Sequence, residues 1–313
     1  MKIIEYSGGV AVPTQGPLAL ALGFFDGMHL AHRRLIARTV ELAKEKGLTP
    51  AVFTFPTECA GIKSQSPRIY TSEQKLGIME ELGIEVVILA DFASVCSLDP
   101  VDFVTRVLVC DLNCAFALCG YNFRFAKGAA ADAPMLLELM HSLGRGGEIL
   151  DKQTLAGDSL SATAIRELLA EGRVAEAREA LGAPYFIEGC VQHGRGVGRH
   201  YGFPTVNLPL PEGCPIKRGV YLSATVIDGK GFVCLTNVGS CPTFDVREMH
   251  TETTLLDFDG DLYGRTIRIH FFDFIRDEIK FQSPEELGAR IERDRALARQ
   301  KGGLIKWQEI GLK

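Results

Sequence analysis

The pattern of apolar residues changes once along this chain, between Gly182 and Tyr185, and no single layer architecture accommodates both halves. Ahead of that point, short apolar runs alternate with helical patterns. Leu18 to Phe24 reads as a strand, Ala31 to Lys46 as a helix stopped by Gly47, and AVFTF as a second buried strand. Thr71 opens a further helix with Gln74 as capping-box partner, Gly83 closes it before the strand VVILA, and a helix after Asp99-Pro100 leads to AFALCG. Such alternation predicts a parallel sheet covered by helices on both faces, in which ligands bind where strands end and helices begin.

Two more helical stretches, SATAIRELLAEG and VAEAREALG, run up to Gly182. Beyond Ala183-Pro184 the runs YFIEGCVQ, YLSATVI, GFVCLTNV, TTLLDFD and RTIRIHFFDF are β-rich and separated by Gly, Asp and Pro, which predicts a compact antiparallel barrel or sandwich. A last helix opens at Ser283, with Pro284 in its first turn and Glu286 placed to bond back. The expected domains are therefore 1–182 and 183–313.

At 313 residues, 46% of them hydrophobic, the chain has material for two such cores. A formal charge of -5 with no basic run argues against nucleic acid or an anionic membrane as partner. The start has neither the apolar core nor the cleavage pattern of a signal peptide, and no stretch approaches a membrane span, so a cytoplasmic protein is expected. Nine scattered cysteines without a Cys-x-x-Cys pair read as reduced thiols.

The stretch GFFDGMHLAH places Asp26-Gly27 at the strand-to-helix turn and His29 and His32 at the helix entrance. Helix N-termini offer unpaired N–H groups and partial positive charge, and imidazoles three apart share a face. Together they suit a phosphate under attack. By spacing alone, surface histidines on a polar helix end fit equally well.

In the second half, glycines precede Phe-Pro-Thr-Val-Asn. Glycine lets backbone approach phosphate, and Thr205 and Asn207 on an extended segment put a hydroxyl and an amide oxygen on one face, a donor set suited to Mg²⁺. The glycines by themselves also fit an ordinary β-turn. Asp257, Asp259 and Asp261 lack the glycine and glutamate of a calcium loop and read as turn residues.

These motifs carry a resemblance. GFFDGMHLAH, GYNFRFAKG and LSATAIRELLAEG, in that order, resemble the three motifs of the flavin adenylyltransferase module of bacterial bifunctional riboflavin kinase/FAD synthetases, part of the nucleotidyltransferase superfamily. GFPTVNL, NVGSCPTF, TETTLLDFDGDLYG and FIRDEIKF resemble, in order, four motifs of the riboflavin kinase module. The resemblance implies an N-terminal Rossmann-like domain followed by a six-stranded kinase barrel with a terminal helix. It also implies ATP, riboflavin, FMN and FAD as substrates and products, Mg²⁺ or another divalent metal, and a monomer or weak homo-oligomer.

In the adenylyltransferase, the resemblance gives the ATP site Gly23, Phe25, Asp26, Gly27, His29, His32 and Asn122, with Thr163 and Arg166 clamping the triphosphate. In the kinase it gives ATP Gly196, Gly198, Gly202, Pro204, Thr205 and Asn207, and gives the metal the last two. Asn237, Arg276 and Glu278 take the flavin, and Glu252 is the catalytic base.

The chain departs from the family pattern at Phe24, Ala31, Ala162, Pro56-Thr57-Glu58-Cys59 and Cys241, with milder changes at Val206 and Thr254. A methyl at Ala31 costs about 1–3 kcal/mol where nucleotide must approach backbone, and the hydroxyl missing at Ala162 about 0.5–1.5 kcal/mol. The main expectation is both activities. The alternatives are a kinase with a non-catalytic N-terminal domain, a flavin-binding regulator, and transfer of nucleotide to a different acceptor.

Overall fold

The computed structural model describes residues 1–12, 16–56, 67–155, 158–192, 205–240, 249–279 and 281–312. The chain folds as two compact units, Met1–Ser66 with Tyr70–Ala162, and Pro67–Ile69 with Thr163–Lys313.

Six parallel strands form the first unit's sheet: β1 (Lys2–Tyr6), β2 (Leu18–Leu22), β3 (Thr49–Thr54), β4 (Val86–Ala90), β5 (Cys114–Gly120) and β6 (Gly146–Leu150). Their order is β1-β4-β3-β2-β5-β6. All five residues of β2 are buried, as expected of a central strand covered on both faces. From β2 the chain winds outward through β3 and β4, then returns to place β5 on the other side of β2. The carboxyl ends of β2 and β5 thus flank a topological switch point.

Helix α1 (Leu30–Lys46) takes His29 as N-cap and ends at Gly47 in the left-handed conformation. Helix α2 (Ser72–Glu81) carries the capping box between Thr71 and Gln74 that the sequence indicates. Asp99 caps the next helical stretch at Pro100, and α3 (Ala133–Ser142) is capped by Asp132.

The second unit takes in α4 (Ala162–Glu171) from Thr163 onward and α5 (Val174–Leu181), and the Lys217 amide donates to Leu169 O of α4 at 2.9 Å. Its sheet comprises β7 (Phe186–Cys190), β8 (Thr205–Pro209), β9 (Gly219–Ile227), β10 (Lys230–Ser240), β11 (Met249–Leu255) and β12 (Thr266–Arg276). The six run antiparallel in the order β7-β12-β9-β10-β11-β8. Just past β7, the Gln192 amide donates to Asn207 O of β8 at 2.9 Å, so the two edges nearly close a barrel.

Alternate residues of β9 face opposite ways. Ser223 meets the buried Thr236, which meets Thr253, in a hydroxyl chain of 2.6 and 2.9 Å. Val220, Leu222 and Ala224 point to the other side and cluster with Leu235, Phe272 and Ala298, the last on α6 (Pro284–Lys301). Ser283 caps α6, while Glu286 reaches back to the Gln282 amide.

Candidate active sites

In the first unit a cavity of about 590 Å³ opens at the switch point. Residues just beyond β2 (Gly23, Phe24, Phe25) and β5 (Tyr121, Asn122) line it, with His29, Ala31 and His32 from the entrance of α1. Asp26 and Gly27 form a 3₁₀ turn before the helix and are not on that lining. Phe25 (φ 53) and Met28 (φ 44) are left-handed without being glycine, and both are fully buried. Each such residue costs about 1–2 kcal/mol, so packing holds the turn in one shape.

The two imidazoles stack with centroids 3.6 Å apart and planes 16° apart. His29 Nδ1 accepts the His32 amide at 3.4 Å, which leaves its proton on Nε2. His32 Nδ1 is enclosed and has no hydrogen-bond partner among the described residues. Burial lowers His29 to about 4; burial, then the charges of His29 and Lys75, hold His32 well below the usual range. Near neutral pH both rings are uncharged hydrogen-bonding groups.

A second cavity, of about 290 Å³, lies between the barrel and α6. Thr205, Asn237, Glu252, Arg276 and Glu278 all line it, with Leu287, Ile291 and Asp294 from α6. The sheet register accounts for the convergence: Glu252 on β11 pairs with Asn207 on β8 and Asn237 on β10, so the three share a face. Thr205, diagonally opposite, donates its hydroxyl to Glu252 Oε1 at 3.1 Å. Asn207 stands in that row but is not on the cavity lining. Thr163 is exposed on α4, where the half-buried Arg166 donates Nε to Pro67 O; both lie in the second unit. Gly196, Gly198, Gly202, Pro204, Thr57, Glu58, Cys59 and Cys241 lie outside the described residues.

Two family models match the chain, one in each half. FAD synthetase matches residues 12–164 and riboflavin kinase residues 181–301. The chain is 35% identical to the bifunctional riboflavin kinase/FMN adenylyltransferase of Bacillus subtilis over 90% of its own length and 91% of that protein. It is 33% identical to the Escherichia coli K12 protein of the same name over 98% and 99%. The chain belongs to the bifunctional riboflavin kinase/FMN adenylyltransferase family. A solved structure described as a macrolide-efflux protein from Streptococcus pneumoniae superposes with a TM-score of 0.82 at 27% identity, covering 96% of this chain and 99% of that one. No helix among the described residues is long and apolar enough to cross a membrane.

Within this bifunctional family member, two charged residues near the cavities escape a reading of the sequence. Lys75 sits in the polar-looking first turn of α2, yet it is only 5% exposed, and its ammonium donates to Phe24 O, Thr54 Oγ1 and Phe55 O, each at 3.0 Å. Asp294 lies within the charged run RIERDR of α6, yet is buried. Its Oδ2 accepts from Arg276 Nε at 2.8 Å and Nη2 at 2.6 Å, and its Oδ1 lies 3.0 Å from Arg290 Nε. Neither residue falls in a sequence motif; a charged residue inside an otherwise amphipathic helix is the only signal each leaves.

Proposed function

We propose that the chain makes FMN and then FAD, with 183–313 as riboflavin kinase module and 1–182 as FMN adenylyltransferase module. The observation that carries the kinase half is the convergence of Glu252, Thr205, Asn237, Arg276 and Glu278 on one cavity from separate strands and the segment after β12. The ribityl 5′-hydroxyl attacks the γ-phosphorus of ATP; the new O–P bond replaces the β–γ bridge, ADP leaves, and Glu252 accepts the hydroxyl proton. The Thr205 hydroxyl holds the carboxylate in one orientation for that task. Asn237, Arg276 and Glu278 bind the flavin.

The hydroxyl of Thr205, the amide of Asn207 and the carboxylate of Glu252 are neighbouring oxygen donors on two paired strands, a set that fits Mg²⁺. Thr205 and Asn207 would hold the ion, which when bound neutralises phosphate charge.

In the first unit a phosphate oxygen of FMN attacks the α-phosphorus of a second ATP, and pyrophosphate leaves. His29 and His32 donate neutral hydrogen bonds to the phosphates, supported by the N-terminus of α1. Gly23, Phe25, Asp26, Gly27 and Asn122 shape the nucleotide site; the triphosphate role of Thr163 and Arg166, both in the second unit, and the ATP role of Gly196, Gly198, Gly202 and Pro204, outside the described residues, rest on the resemblance alone. The planar flavin ring enters among Phe24, Phe55, Phe92 and Phe123, four of the aromatic residues on the cavity wall.

The reading includes a cytoplasmic enzyme of small molecules, a monomer or weak homo-oligomer; the formal charge of -5 speaks against a nucleic-acid partner. The test is Glu252→Ala, which should stop FMN formation from riboflavin while FMN supplied from outside is still converted to FAD. Undiminished FMN formation would refute the base assignment.

A further inference from the structure

Lys75 occupies a place that is costly twice over. Its ammonium is buried, and it sits in the first turn of α2, where the helix dipole disfavours a cation. Its positive charge also works against protonation of His32. A position with those costs needs a return, and the geometry supplies one.

The ladder between β2 and β3 ends at Leu22 and Phe53, with one further bond from the Gly23 amide to Phe53 O at 3.3 Å. Beyond it the two strand ends separate around the cavity. The Lys75 ammonium takes over there, bridging Phe24 O on one side to Thr54 Oγ1 and Phe55 O on the other. Thr54 Oγ1 in turn donates to Phe24 O at 3.0 Å. The two carbonyls so joined belong to the residues whose rings line the cavity. Those rings lie 6.4 Å apart at 31°, and Phe55 is braced edge-on by Phe53 and Phe92. The ammonium also stands 5.3 Å from the centre of the Phe24 ring, within cation–π range.

We infer that Lys75 is a positioning residue for adenylyl transfer: by tying the Phe24 and Phe55 carbonyls together beyond the carboxyl ends of β2 and β3, it fixes the aromatic slot that receives the flavin ring of FMN. The inference rests on the reading that this slot takes the flavin. Lys75 touches neither substrate in this account; it acts through the two phenylalanines.

Full-length Lys75→Met, Lys75→Gln and Lys75→Arg test it, with the riboflavin kinase activity of each preparation as an internal control. The expected result for Lys75→Met is a KM for FMN raised about tenfold or more, with the KM for ATP in adenylyl transfer and the kinase turnover within twofold of the parent. Lys75→Arg, which keeps a cation with several donors, recovers part of that loss. A loss of turnover with both KM values unchanged means a smaller folded fraction and overturns the inference, as does an unchanged KM for FMN. Should Lys75→Met fail to fold, Lys75→Gln, which keeps an N–H donor, carries the same comparison. Phe55→Ala separates the two readings. If it leaves the KM for FMN unmoved, the flavin does not sit in this slot; if it raises that KM while Lys75→Met does not, only the role of Lys75 fails.

Discussion

The hydroxyl of Thr205 lies 3.1 Å from Glu252 Oε1, a contact that spans 47 residues of sequence and two paired strands of the barrel. It joins the Pro-Thr-x-Asn element to the glutamate motif at one edge of a cavity, where we propose Glu252 as the base. Glu252→Gln keeps the shape and the contact with Thr205 but removes the base. Riboflavin phosphorylation should fall by about 10²–10⁴ in kcat, with the KM for ATP little changed. Steady-state assays with riboflavin as acceptor check this.

Asp294 and Arg276 are paired in the wall of the same cavity, with side chains 3% and 14% exposed. Removing one partner of a buried pair strands the other charge. Asp294→Ala should destabilise the second unit by about 3–5 kcal/mol and raise the KM for riboflavin, because Arg276 loses its orientation. Asp294→Asn, which retains an acceptor, should do less of both. Denaturant unfolding and kinase kinetics on the same samples measure the two effects.

The stacked histidines make the first unit sensitive to acid. His29 is held at about 4 in the fold against an ordinary value of 6.5, chiefly by burial. Below pH 6.5 the unfolded chain binds a proton that the folded one refuses. Stability present above that pH is therefore lost as pH falls toward 4, to the extent of roughly 3 kcal/mol from this residue. His29→Asn keeps an N-cap and removes the titration, so its stability between pH 6.5 and 4 should decline less steeply. Calorimetric scans across that range are the check.

Ala126, on the cavity wall, has φ 67 and ψ 179, a conformation almost confined to glycine. Ala126→Gly should stabilise the first unit by about 1–3 kcal/mol, a rise of roughly 2–4 °C in Tm per kcal/mol for a unit of this size. A thermal melt of the variant beside the parent decides it.

The capping chemistry and the strand-to-helix turns were legible residue by residue. Thr71 with Gln74, Asp99 before Pro100, Gly47, Gly182 and Ser283 all mark the ends they occupy. His29 and His32 also stand at the entrance of α1, where the strand-to-helix turn of the sequence puts them. What stayed hidden has physical reasons. Strand β6 begins Gly146-Gly147, which reads as a loop, but a Cβ at Gly146 would run into the Phe116 ring and one at Gly147 would meet the end of the Leu137 side chain, so the pair suits a strand packed closely against its neighbours. Strand β1 is an edge on which Lys2, Ile3 and Glu5 are exposed and Tyr6 is buried, and its apolar signal is correspondingly weak. Lys75 and Asp294 look like solvated charges because helical spacing shows a face and not what covers it.

The most direct measurement is to incubate the purified full-length protein with riboflavin, ATP and Mg²⁺ and to separate riboflavin, FMN and FAD by chromatography. The two-site reading predicts that FMN appears first and FAD accumulates from it. FMN without FAD would contradict the role given to His29 and His32, and unchanged riboflavin would contradict the role given to Glu252.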